Sequence, residues 1–217
     1  MRIPFLFLYF SLVPLFLFSE GDGDKEWKLV KQQKGISVYI KSVPETPINA
    51  IKATTTVDCD MATALAVILD AENHSNWMFQ SRNARVIEQI NDTSWYYYAQ
   101  TRTPWPAFDR DFVSKISVHR NSDKSISVIG VGIPDHIPEK DNIVRLPYSL
   151  SEWRFTSLRP GTTYVELYLS VDVGGSLPSW IINMFITRGP SQTLINFSIE
   201  VQKKKYRNAK MADIFPE

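Results

Sequence analysis

The chain has 217 residues, room for one sizeable domain with its own core and too few for two comfortable ones. Hydrophobic residues make up 44% and charged residues 22%, which excludes a disordered chain, and a formal net charge of +1 gives no electrostatic footprint for nucleic acid. The single cysteine, Cys59, excludes an internal disulfide and any multi-cysteine metal centre.

The first element is an apolar run, Ile3 to Phe18, behind a single basic residue, Arg2. As a helix it would span about 24 Å, short of a hydrocarbon core of roughly 30 Å, and Pro14 interrupts it. It reads as a signal peptide over residues 1–19 with cleavage near 19–21, the alternative being an uncleaved membrane anchor. Either reading predicts export, to a periplasm or the exterior. Residues 20–26 form an acidic linker containing Glu20 to Asp24, and one domain is expected from 27 to 210.

Within that domain Gly35–Ile40 and Asn49–Val57 have strand composition. Asp60 then stands as an N-cap candidate before Met61–Leu69, where Ala, Leu and Met favour a short helix, apolar nearly all round and therefore buried. Strands follow at Ala84–Ile90, Ser94–Arg102, Phe112–His119, Ser125–Ile133, Ile143–Thr156 and Thr162–Val173, separated by short turns, which predicts an antiparallel meander. Gly174-Gly175 stops the sheet, Pro178 opens a helix, and Gly189-Pro190 is expected to kink or interrupt it before it runs on into Lys203-Lys204-Lys205-Tyr206-Arg207. The fold class is α+β: a curved antiparallel sheet wrapped around a long C-terminal helix, with an apolar cavity wherever that helix fails to fill the concave side.

Four stretches resemble the START family of lipid-transfer domains. They are Trp27 with Gly35-Ile36-x-Val38-Tyr39; Asp70 with Trp77; Trp105-Pro106-x-x-Asp109-Arg110-Asp111-Phe112-Val113; and Asp172-Val173-Gly174-Gly175-Ser176-Leu177-Pro178-Ser179-Trp180-Ile181-Ile182-Asn183. The resemblance covers roughly Trp27 to Lys205. It implies a helix-grip fold, an apolar tunnel lidded by the C-terminal helix, and a cargo of one sterol, phospholipid or ceramide, without metal or other cofactor. Sterol-binding relatives keep a buried acid–base pair on the strands flanking the Arg-Asp motif. The matching positions here are Tyr97 and Ile116, a phenol and an alkyl group, which argues against sterol recognition through such a pair.

Strand alternation groups Trp95, Tyr97 and Ala99 on one face, and Phe112, Ile116 and Val118 on one face. Those of them with large side chains, with Ile129 and Trp153 from the later strands, are the candidate ligand wall, and ordinary core packing is the competing reading. Tyr97 is the expected polar anchor, since a buried phenol needs a hydrogen-bond partner. Trp180, Met184 and Phe185 on the last helix are candidate lid contacts, with Gly189-Pro190 as a hinge or a static kink. Arg110 and Asp111, adjacent on a strand, must point to opposite faces; they are read as structural, tying the loop around Trp105 into the sheet, together with Gly175 and Pro178. The Gly132–Asn142 segment reads as a surface turn, although the family places loops here near the tunnel mouth. Lys203, Lys204, Lys205, Arg207 and Lys210 read as a solvated helix end rather than a lipid head-group site.

No residue is assigned a catalytic or metal-binding role. There is no G-x-S-x-G or H-E-x-x-H, the three histidines are scattered, and the acidic neighbours of Cys59 disfavour its thiolate. The sequence therefore predicts a monomeric, non-catalytic carrier or sensor of a single lipid, making transient membrane contact. The alternatives are a helix-grip cyclase or hydrolase acting on a hydrophobic substrate, and a non-lipid interaction module.

Overall fold

Ten strands carry the β-rich segments into one sheet in the computed structural model, which describes residues 26–43 and 49–215. The expected signal peptide and all but the last residue of the acidic linker lie outside the described residues. The strands are β1 (Lys28–Gln33), β2 (Ile36–Ser42), β3 (Asn49–Val57), β4 (Ser81–Asn91) and β5 (Ser94–Thr101), followed by β6 (Asp109–Arg120), β7 (Ile126–Gly132), β8 (Ile143–Arg145), β9 (Tyr148–Arg159) and β10 (Thr162–Asp172). Their order across the sheet is β1-β2-β3-β10-β9-β7-β6-β5-β4, every neighbouring pair antiparallel.

The segment read as one strand, Ile143–Thr156, is two. Pro147 has no N–H to give to a ladder, so the chain leaves the sheet there. Before it, β8 runs parallel to the start of β6, with Asp109 opposite Ile143; after it, β9 pairs with β7 and β10. The strand the sequence did not announce is β1, whose Lys28–Gln33 is exposed or half-buried throughout and therefore shows no apolar alternation.

Helix α1 (Met61–Leu69) has the bounds its composition predicts, with Ala64, Leu65, Val67 and Ile68 buried. Asp60 occupies its N-cap position but makes no capping hydrogen bond. Its Oδ1 instead accepts the N–H of Gly161, 2.8 Å away, fastening the β9–β10 turn. A single turn, α2 (His74–Trp77), leads into β4.

The C-terminal helix runs unbroken from α3 (Ser179–Asn183) through a π-helical stretch, Met184–Arg188, into α4 (Gly189–Glu200). Gly189-Pro190 thus does not interrupt it. An α-helical Pro190 would strand the Ile186 carbonyl and press its ring against it. The wider turn, in which the Gly189 N–H reaches back to Met184 O, accommodates the proline near the start of α4.

The helix also ends earlier than expected. After Glu200 the chain turns back, and Lys204–Tyr206 forms a 3₁₀ turn beside α1. Lys205 Nζ and Tyr206 Oη both donate to Asp70 Oδ2, at 2.7 and 2.8 Å, and Lys203 pairs with Glu200 at 2.6 Å. Helix α5 (Met211–Ile214) closes the described chain.

Candidate functional site

Between the concave face of the sheet and the first half of the C-terminal helix lies a space of about 500 Å³. That is within the range of small-molecule sites, roughly 300–1,000 Å³. Its existence follows from where the helix is thick. Toward its C-terminal end Phe197 packs against Trp153, Trp77 and Phe155, with ring centroids 5.4, 5.7 and 6.2 Å away, and these rings plug the concave side. Toward its N-terminal end the helix offers Ile182, Phe185 and Ile186, and the sheet beneath it has small residues.

Strand alternation places the wall. From β6 come Arg110, Phe112, Ser114 and Ile116; from β5, Trp95, Tyr97 and Thr101; from β10, Leu167, Leu169 and Val171. On β7 and β9 the wall dips. A Cβ on Gly130 would sit 2.6 Å from Ser151 Oγ and 2.9 Å from Ile116 Cδ1, so only glycine leaves that volume open. Ser114 and Ser149 border the same region of the wall.

Six of the ten residues expected to touch ligand line this space: Trp95, Tyr97, Phe112, Ile116, Trp153 and Phe185. Four do not. Val118 shares the face of Ile116 but lies beyond the end of the space, where with Trp95, Leu69 and Ile214 it borders a second one of about 200 Å³. Ile129 points outward, because its neighbours Val128 and Gly130 take the inward positions. Trp180 is 54% exposed, and Met184 stands off the wall one residue away from Phe185. The inward stripe of the helix is Ile182, Phe185, Ile186, Gly189, Pro190 and Thr193, at helical spacing.

Tyr97 has a partner the sequence did not reveal. Its phenolic O–H lies 2.9 Å from Nδ1 of the buried His74, whose Nε2 is 2.9 Å from the carbonyl of Ile68. A carbonyl only accepts, so Nε2 carries the hydrogen and Nδ1 accepts from Tyr97. Burial pushes the His74 ring down to about 4, against the opposing pull of the Ile68 carbonyl and Asp70. Burial likewise raises the Tyr97 phenol well above its ordinary range. Both groups are neutral near pH 7. A lone histidine six residues past Ile68 carries no local signal of this role. Trp95 Nε1, also on the wall, is buried without a hydrogen-bond partner among the described residues.

Arg110 and Asp111 point to opposite faces of β6. Asp111 forms a buried ion pair with Arg145 on the convex side, Nε to Oδ1 2.7 Å, with side chains 1% and 3% exposed. Arg145 also donates to the carbonyls of Pro134, Ile137 and Pro138, and Lys140 Nζ reaches Tyr98 Oη at 2.9 Å. The Gly132–Asn142 segment is thereby clamped to the convex face, and its residues do not line the cavity. Arg110 faces inward and lines the cavity, donating to backbone carbonyls of Phe108, Val173 and Gly174. Gly175 also lines it, and Pro178 is the N-cap residue of α3.

Among the described residues, no group of three His, Cys, Asp or Glu side chains is arranged to hold a metal ion, and no helix is long and apolar enough to cross a membrane. Burial, then the charges of Asp60 and Asp58, push the Cys59 thiol up to about 11, which leaves it protonated.

The START domain family model matches residues 19–198. An uncharacterised protein of Pseudomonas aeruginosa is 28% identical over 180 residues, 83% of this chain and 89% of its own length. The mouse phosphatidylcholine transfer protein is 22% identical over 170 residues, 76% of this chain and 78% of its own. Among solved structures, a STAR-related lipid transfer protein from Xanthomonas axonopodis superimposes with a TM-score of 0.74 at 25% identity, covering 82% of this chain and 99% of that one. An open antiparallel sheet gripping one long helix and a match across most of its length place this chain in the START family.

Proposed function

We propose that the chain holds one lipid molecule in the space under the C-terminal helix and carries it between membranes, or presents it for sensing, without bond chemistry of its own. The observation that carries this reading is the 500 Å³ left open by a helix whose far half is fully packed. Each CH₂ buried there gains about 0.8 kcal/mol relative to water, so a sixteen-carbon chain gains on the order of 12 kcal/mol. A bilayer offers the same chain nearly as much, so cargo exchanges when the lid meets a membrane. The names of the phosphatidylcholine and STAR-related transfer proteins support the same reading. So does the His74–Tyr97 pair, held neutral rather than poised for proton transfer near pH 7.

Membrane contact is supported by aromatic side chains at the Arg110–Gly175 end of the cavity. Trp105 is 88% exposed and Phe108 57%, both on the loop entering β6, and Trp180 stands half-exposed just before Ile182. Exposed tryptophans on segments that lead into elements lining an apolar space suit the interfacial layer of a bilayer. The apolar run Ile3–Phe18 supports action outside the cytosol.

Native mass spectrometry of protein freshly purified from two expression hosts tests the proposal. The expected spectrum shows one co-purifying lipid per chain. Ligand-free protein from both hosts, together with no uptake from vesicles, overturns it. N-terminal sequencing of exported protein, expected to begin near residues 19–21, tests the compartment.

A further inference from the structure

Among the described residues, Arg110 is the one guanidinium or ammonium side chain on the cavity wall, and its position is unusual for a charge. The residue is 5% exposed. Its Nε donates to Val173 O and its Nη2 to Gly174 O, both at 3.3 Å, and Nη1 donates to Phe108 O. Those bonds use three of the five guanidinium N–H groups and leave one on each terminal nitrogen. A buried cation ordinarily has an anion beside it. Among the described residues, no carboxylate forms an ion pair with this one. Burial lowers its pKa, and the charge of Asp109 favours the protonated form only in part.

The neighbouring carboxylates are committed elsewhere. Asp109 points to the other face of β6 and binds Arg82 and the Thr103 N–H. Asp111 binds Arg145. Asp172 borders the cavity too, but its Oδ1 accepts the Gly174 N–H at 2.9 Å. Three carbonyl dipoles orient the guanidinium without cancelling its charge, and a free N–H on each terminal nitrogen can meet a two-oxygen anion.

We infer that Arg110 anchors the acidic group of the lipid, a singly charged oxyanion that is either a phosphate diester or a carboxylate. The inference rests on the lipid-carrier reading above and adds the orientation and class of the cargo. The acid lies at the Gly174-Gly175 end, where α3 begins, and the hydrocarbon extends toward Trp153. One guanidinium charge is matched by one negative charge, which favours a monoanion over a phosphate monoester. Two residues along β6 from Phe112, the hydroxyl of Ser114 offers the next polar contact on that face.

The test is a competition on the wild-type chain among palmitoyl-oleoyl phosphatidylcholine, oleic acid and palmitoyl-oleoylglycerol, read by mass spectrometry of the loaded protein. A preference for either oxyanion over the neutral glyceride on the order of tenfold or more supports the inference, and which of the two wins names the source. Arg110→Met is expected to erase the preference while still loading the glyceride, and Arg110→Lys to retain part of it. Should Arg110→Met melt early, the wild-type competition and Arg110→Lys decide. Glyceride loading equal to both oxyanions overturns the anchor and leaves the carrier reading standing; no loading of any probe overturns both.

Discussion

The hydroxyl of Tyr97 sits 2.9 Å from Nδ1 of His74, and the opposite nitrogen of the same ring sits 2.9 Å from the Ile68 carbonyl. The imidazole therefore links β5 to the end of α1 at the wall of the cavity. Tyr97→Phe removes the only donor to Nδ1 among the described residues and leaves a buried acceptor unsatisfied. The expected loss is about 1–3 kcal/mol in urea unfolding. An unchanged midpoint would mean that water replaces the phenol.

The same ring makes stability depend on pH. Burial holds folded His74 near 4, whereas the unfolded chain protonates near 6.5. Above 6.5 neither state is protonated and the contribution is intact. As pH falls from 6.5 toward 4, the unfolded state takes up a proton that the folded state refuses, and stability declines by about 3 kcal/mol in all. His74→Asn, which does not titrate, is expected to flatten that part of the pH profile of urea unfolding.

Asp111 and Arg145 are both nearly inaccessible, so removing one leaves the other as an uncompensated buried charge. Arg145→Met is expected to cost about 3–5 kcal/mol, and the double replacement Asp111→Leu with Arg145→Met markedly less. Thermal melts of the parent and of both variants check this. Arg145→Met should also free the Pro134–Pro138 loop, visible as faster amide exchange there.

Enlarging a wall residue separates cargo from fold. Leu169→Trp directs an indole into open space. Lipid uptake from vesicles is expected to fall on the order of tenfold, with unfolding stability within about 1.5 kcal/mol of the parent. Uptake at the parental level would place the cargo elsewhere.

Trp105 and Trp180 together test the docking end. Both are largely in solvent, so Trp105→Ala with Trp180→Ala should leave the melting temperature nearly unchanged. Flotation with vesicles is expected to weaken on the order of tenfold, about 1.4 kcal/mol, and transfer to slow with it.

What the sequence revealed tracks how local each determinant is. The bounds of β3 and α1 were legible because composition changes sharply at Asn49, Val57 and Asp60. β1 was not, since a strand with no fully buried residue carries no clear apolar alternation. On β7 the inward residues are Val128 and Gly130, not Ile129: a one-residue shift reverses every side chain, and an apolar run does not state its own parity. The cavity-facing side of the C-terminal helix was misjudged by part of a turn, Trp180 and Met184 for Ile182 and Ile186, because the helix is apolar on more than one side. His74 was invisible as a site residue because its partners, Ile68 and Tyr97, meet it only through the fold.

The ring cluster of Trp77, Trp153, Phe155 and Phe197 has a consequence for selection by size. It is a fixed backstop rather than a yielding wall, since each ring is wedged against the others. If the proposed cargo enters from the Gly175 end, its hydrocarbon tail would advance only until it meets indole, and any surplus carbons would fold back or protrude. Tail length would in this way be gauged by a dead end, with no contact specific to any particular carbon.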